Sequence, residues 1–201
     1  MLTPMSERVI GILLFDGVEE LDAVGPWEVL AWWTAAFPDD GYRVVTLSRD
    51  GGPVTCAKGM VITPGHSFAS APALEVLVHP GGRGTRAQIE DPRHLDWVRE
   101  QRRGVGLMTS VCTGSLVYAA AGLLTGRPAT TYWDALGLLA HLDPGIEVRP
   151  EDRFVDDGDV ITAAGVSAGI DMALHLVGRL VRPERAREGR RGIQYDPAPP
   201  H

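Results

Sequence analysis

The feature that most constrains this chain is a series of short, almost wholly apolar runs that alternate with segments of helical period. Arg8-Val-Ile-Gly-Ile-Leu-Leu-Phe15 is the first run, and Asp16-Gly17 stops it. Such a run suits a strand covered by helices on both faces, because neither face then needs polar side chains. Residues 42–48, 74–79 and 105–111 repeat the pattern. Between and after them, 26–36, 92–103, 113–121, 133–142 and 168–180 read as helices. Pro26 opens the first of these, with Trp27, Leu30 and Trp33 at helical spacing. Residues 54–63 form a small β-excursion around Lys58-Gly59, and Asp157-Gly158 marks a hairpin between 154–155 and 160–162. Strands alternating with helices predict an α/β fold, a doubly wound and mostly parallel sheet between helical layers. No repeat or internal linker divides the 201 residues, so 1–201 is read as one domain.

Composition narrows the functional classes. Hydrophobic residues are 44% and charged ones 22%, as in an ordinary soluble domain. The net charge is −7 and the basic residues gather on no one face, which argues against a nucleic-acid groove. Two cysteines are too few for a disulfide framework. Residues 1–7 lack the basic start and apolar run of a secretory signal. Residues 104–124 carry no charge, but Thr109, Ser110, Thr113, Gly114 and Ser115 suit a buried strand and a packed helix better than a membrane span. The expectation is a cytoplasmic protein with no membrane partner and a loose Pro-rich tail over 196–201.

In open α/β sheets, ligands bind beyond the carboxyl ends of the strands. Three such ends carry unusual residues: Asp22, Gly81-Gly82 and Cys112. Ser110-Val-Cys-Thr-Gly114 has the form of a nucleophile elbow, with small residues two positions either side of Cys112. A helix starting at Thr113 points its positive end at the sulfur and favours the thiolate. Cys56 lacks this setting and reads as a small core residue. The backbone N–H groups of Gly81 and Gly82, with that of Thr113, are candidates to stabilise developing negative charge opposite the sulfur. Asp22 precedes Gly25-Pro26 and is either an N-terminal helix cap or a proton-sharing partner of Cys112. None of the six histidines has dyad or metal-ligand placement, and Thr130-Thr-Tyr-Trp133 brings Tyr132 to the site region instead. The successive Trp32 and Trp33 cannot both face inward on one helix, so one of them is expected to meet a partner.

These residues resemble the ThiJ/PfpI superfamily, and more narrowly its isocyanide hydratase branch. The carrying stretches include Leu21-Asp22-x-x-Gly-Pro26, Pro80-Gly-Gly82, Thr109-Ser-Val-Cys-Thr-Gly-Ser115, Ala168-Gly-Ile-Asp171 and Tyr195-Asp-Pro-Ala-Pro-Pro200. The first and third are shared with ligand domains of AraC-type regulators. The resemblance implies a flavodoxin-like sandwich, a homodimer, no cofactor and a small-molecule substrate. It assigns the nucleophile to Cys112, the acid/base carboxylate to Asp22 and the neighbouring hydroxyl to Thr113. The implied reaction is hydration of an isocyanide to an N-substituted formamide through a Cys thioimidate. Two other readings fit the same residues: a thiol hydrolase or glyoxalase of the superfamily, and a ligand-binding or redox-sensing module.

Overall fold

A computed structural model describes residues 7–197. The wholly apolar runs become adjacent strands: β1 (Arg8–Leu13), β2 (Tyr42–Ser48), β6 (Val76–His79) and β7 (Leu107–Val111). The short strands β3 (Val54–Thr55), β4 (Val61–Ile62) and β5 (His66–Ser67) lie between β2 and β6, and β8 (Pro128–Ala129) and β9 (Glu147–Val148) follow β7. The hairpin at Asp157-Gly158 forms β10 (Phe154–Asp156) and β11 (Val160–Ala163), with Gly158 at φ 81°. The main sheet runs β10-β11-β7-β6-β1-β2-β5, parallel throughout except for β10 against β11. The antiparallel pair β3–β4 is the expected β-excursion.

Helices cover both faces. On one side α1 (Glu20–Ala36) packs on α6 (Ala168–Leu180), and α6 on α7 (Pro183–Gly192). On the other lie α3 (Pro92–Gly104), α4 (Gly114–Ala120) and α5 (Leu136–Leu142), with the single turn α2 (Thr85–Gln88) before them. Each face has its own apolar cluster. One is built on Ile10, Ile12, Val76 and Val78, the other on Val9, Leu13, Leu77 and Met108, so successive strand residues feed opposite layers. No helix of the described residues is long and apolar enough to cross a membrane. The apolar stretch 104–124 is β7 followed by the buried α4.

Three expectations are corrected. The first helix begins at Glu20 rather than at Pro26, which lies inside it. Pro26 has no N–H to give the carbonyl of Asp22, four residues back, and burial of Ala23, Val29, Leu30 and Trp33 outweighs that loss. Helix α7 was absent from the periodicity because it is almost wholly polar. Its hold is tertiary: the Arg185 guanidinium bonds both oxygens of Asp40 at 2.6 and 3.0 Å and lies 3.4 Å over the Phe37 ring. Trp33 is fully buried, donating to Asp40 at 2.7 Å, and Trp32 packs so closely on Gly192 of α7 that no Cβ would fit there. Both tryptophans thus find packing within the chain, Trp33 fully and Trp32 in part. The loose tail expected over 196–201 lies mostly outside the described residues, and Asp196 within them pairs with Arg190.

Candidate active site

Cys112 leaves β7 at φ 56°, a left-handed conformation that non-glycine residues adopt at a cost of about 1–2 kcal/mol. The turn is held from several sides. Its N–H donates to the carbonyls of Ala163 and Ala164 at 3.1 and 3.0 Å, and its own carbonyl accepts Ser115 Oγ and Thr131 Oγ1. Two residues on, Gly114 lies against the carbonyl of His79 with no room for a side chain. Small residues flanking the elbow are therefore a steric requirement of the β6–β7 crossing. Cys112 is 5% exposed and lines a pocket of ≈ 580 Å³.

Asp22 sits in the first turn of α1, fully buried, and does not cap it; the N-cap residue is Glu19. Its Oδ2 accepts the N–H of Gly81 at 2.9 Å. Oδ1 is buried without a hydrogen-bond partner, and the Cys112 thiol is near enough to act on the carboxyl's titration. Burial, then the charge of Glu19, pushes the Asp22 carboxyl up to about 7, against the pull of the Gly81 N–H and the thiol. The Cys112 thiol is raised too, first by burial and then by the Asp22 charge, while the backbone amides of Thr113 and Val166 act in the opposite sense and favour the thiolate. Above about pH 7 the pair thus carries a single proton held by either sulfur or carboxyl.

The Pro80-Gly81-Gly82 loop is brought to the same place, in a different role from the expected one. The Gly82 N–H donates to Thr113 Oγ1 at 2.9 Å, and Thr85 Oγ1 bonds the same hydroxyl at 3.0 Å. With Gly81 on Asp22, both glycine amides are committed and neither faces the sulfur. Gly82 adopts φ 121° against the Glu19 N–H and the Gly17 carbonyl, a contact only glycine permits. Tyr132 lines the pocket, its ring packed flat on Gly165.

Sequence reasoning missed Val166. It sits at φ 48° between β11 and α6, an outlier for a β-branched residue, and its backbone amide favours the Cys112 thiolate. Nothing in the residue type signals this; only the small-residue run Ala163-Ala-Gly165 at a strand's carboxyl end could have drawn attention to it. Among the described residues no histidine lines the pocket. His79 is turned to the Pro80 carbonyl (2.8 Å) and to His94 Nε2 (3.1 Å). Among the described residues no group of three His, Cys, Asp or Glu side chains can hold a metal, and both cysteines are free thiols.

The family model described as DJ-1/PfpI matches residues 8–179. Isonitrile hydratase of Pseudomonas putida is 42% identical over 191 residues, covering 95% of this chain and 80% of that protein. HTH-type transcriptional regulator GbdR of Pseudomonas aeruginosa is 32% identical over 170 residues, covering 85% of this chain but only 46% of the regulator. Among solved structures, a ThiJ/PfpI family protein from Pseudomonas syringae superposes with TM-score 0.85 at 32% identity, over 100% of this chain and 83% of that one.

Proposed function

The chain belongs to the DJ-1/PfpI family, and from that premise we propose that it hydrates an isocyanide to an N-substituted formamide, with Cys112 as nucleophile and Asp22 as proton carrier. The observation that carries this reading is the buried Cys112–Asp22 pair in a pocket that no histidine among the described residues lines. A thiol hydrolase relies on a His to take and return protons. Here the Asp22 carboxyl beside the sulfur can do so, because its proton exchanges near neutral pH, as general acid–base catalysis prefers.

The sulfur bonds to the terminal isocyanide carbon as Asp22 gives that carbon its proton, forming the thioimidate Cys–S–CH=N–R. Water then adds to the same carbon, one of its protons passing through Asp22 to the nitrogen. The C–S bond breaks as the C=O bond forms, Asp22 takes the last proton, and the formamide leaves. The balance is one water consumed per isocyanide. Gly81 holds one Asp22 oxygen and leaves Oδ1 for the proton, while the Thr113 and Val166 amides favour the thiolate.

Loss of an aromatic isocyanide, followed by its ultraviolet absorbance, tests the proposal. The expected result is turnover by the wild type and none by a folded Cys112→Ala variant. Methylglyoxal consumption without isocyanide turnover would favour the glyoxalase reading. Turnover of neither would favour a ligand-binding module, to which the GbdR similarity also points.

A further inference from the structure

We propose that the isocyanide carries a carboxylate, and that Arg83 and Arg86 hold it at the mouth of the Cys112 pocket. The inference rests on the hydratase reading and adds to it the class of substrate.

The wall of the pocket beside the sulfur is apolar, formed by Val166 and the Tyr132 ring, but its rim is charged: Glu19, Lys58, Arg83 and Arg86. Lys58 is the only lysine in the chain, and it is already bonded to Glu19 with Glu20 at 3.7 Å. That leaves the two arginines. Most arginines of this acidic chain are in ion pairs, Arg43, Arg49, Arg127 and Arg185 among them. Arg83 and Arg86 form none among the described residues, and the only polar contact of Arg86 is a long one, 3.4 Å, to Thr85 Oγ1. Two guanidinium groups without a carboxylate partner, lining the same pocket as a nucleophile, suit an anion better than a structural ion pair.

Their mounting supports the same conclusion. Arg83 follows Gly82 directly, and Arg86 follows Thr85. Gly82 and Thr85 both hydrogen-bond the Thr113 hydroxyl, one residue from the sulfur, and Gly81 bonds Asp22. The backbone carrying the two cations is therefore tied to the elbow, so both arginines are rooted at the pocket that Cys112 lines. Glu19 lines the same pocket and is bonded to Lys58, and the two guanidinium charges outnumber it. A guanidinium matches a carboxylate with two parallel N–H···O bonds, and an isocyanide with a carboxylate on its neighbouring carbon places that anion just outside the reacting group.

Two ratios test this. The first compares kcat/KM for isocyanoacetate with that for its uncharged methyl ester, in the wild type and in Arg83→Ala/Arg86→Ala. The ratio is expected to fall about tenfold in the variant, mainly through KM, the size of one charge-assisted hydrogen bond at an exposed rim. The second compares alkylation of Cys112 by iodoacetate and by iodoacetamide, which share a leaving group and differ in charge. This ratio is also expected to fall about tenfold, and it needs no isocyanide chemistry. Arg83→Lys/Arg86→Lys, which keeps the charge but not the fork, should lose less in both. Ratios unchanged in the alanine variant would overturn the anion site even if isocyanides are hydrated. A responding alkylation ratio without any isocyanide turnover would keep the anion site and remove the hydratase reading instead.

Discussion

Asp22 is the residue at which the proposed function sets a cost in stability. A buried carboxyl raised to about 7 holds its proton in the fold and loses it more readily in the unfolded chain. Between about pH 4 and pH 7 the folded state therefore binds more protons, and stability falls as pH rises through that window. Asp22→Asn keeps the shape, can still accept from Gly81, and has no charge to bury. It should be more stable than the wild type at pH 8, by up to about 4 kcal/mol at about 1.4 kcal/mol per pKa unit; thermal melts at pH 5 and pH 8 check this, since the gain should vanish at the lower pH. The same variant should lose activity by roughly 10²–10⁴-fold, the span of a general acid–base group. In the wild type, kcat/KM should rise with pH through about 7, as the pair passes from two protons to one and a thiolate becomes available. That limb should be missing in Asp22→Asn, and its persistence would remove Asp22 from the mechanism.

At the scale of elements, two tertiary ties carry opposite lessons. His79 ends β6 and His94 lies in α3, and their ring nitrogens meet inside the molecule. Burial pushes His79 down to about 3, helped by its neighbour, and His94 down to about 4. The unfolded chain binds their protons near pH 6.5, so stability is present above that value and is lost as pH falls toward 4. Melting temperature should drop across that window, and His94→Gln should flatten the drop; an unchanged slope would mean the pair does not titrate as described. Helix α7 depends instead on Arg185 with Asp40, a pair covered from solvent although it lies near the outside of the molecule. Arg185→Ala should cost about 2 kcal/mol, between an exposed pair and a fully interior one, read as a lowered denaturant midpoint with protease cleavage gained in α7.

For the whole molecule, the parallel sheet turns separate chain positions into one site. The carboxyl ends of β6, β7 and β11 supply the Gly81 loop, Cys112 and Val166, and the helix after β1 supplies Asp22. We also propose that the chain forms a homodimer, now on different grounds from the tryptophans. Leu21 and Val24 are 38% and 37% exposed on α1, one turn apart, beside the candidate site. Sedimentation should show a dimer at micromolar concentration, and Leu21→Glu/Val24→Glu should turn it into a monomer. A wild type that sediments only as a monomer removes the proposal.

Apolar periodicity alone predicted the parallel sheet, its helical cover and the hairpin at Asp157-Gly158, because covered strands and glycine turns impose their requirements locally. It placed Cys112 on a strand-to-helix turn for the same reason. Where local preference and packing compete, it went astray: Pro26 reads as a helix start until the buried face of α1 overrides it, and polar α7 shows no period of its own. The roles within the site were not legible either. Whether Asp22 caps a helix or shares a proton depends on what lies against it, and the partners are 59 and 90 residues away in Gly81 and Cys112. The commitment of the Gly81 and Gly82 amides, and the influence of the strained Val166 amide on the thiol, likewise arise between strand ends. The amino-acid sequence by itself determined which elements form and which reactive groups stand at their ends. Only the tertiary structure decided which of those groups touch, because burial and mutual charge, which set the proton's place between Asp22 and Cys112, arise only when distant segments exclude water together.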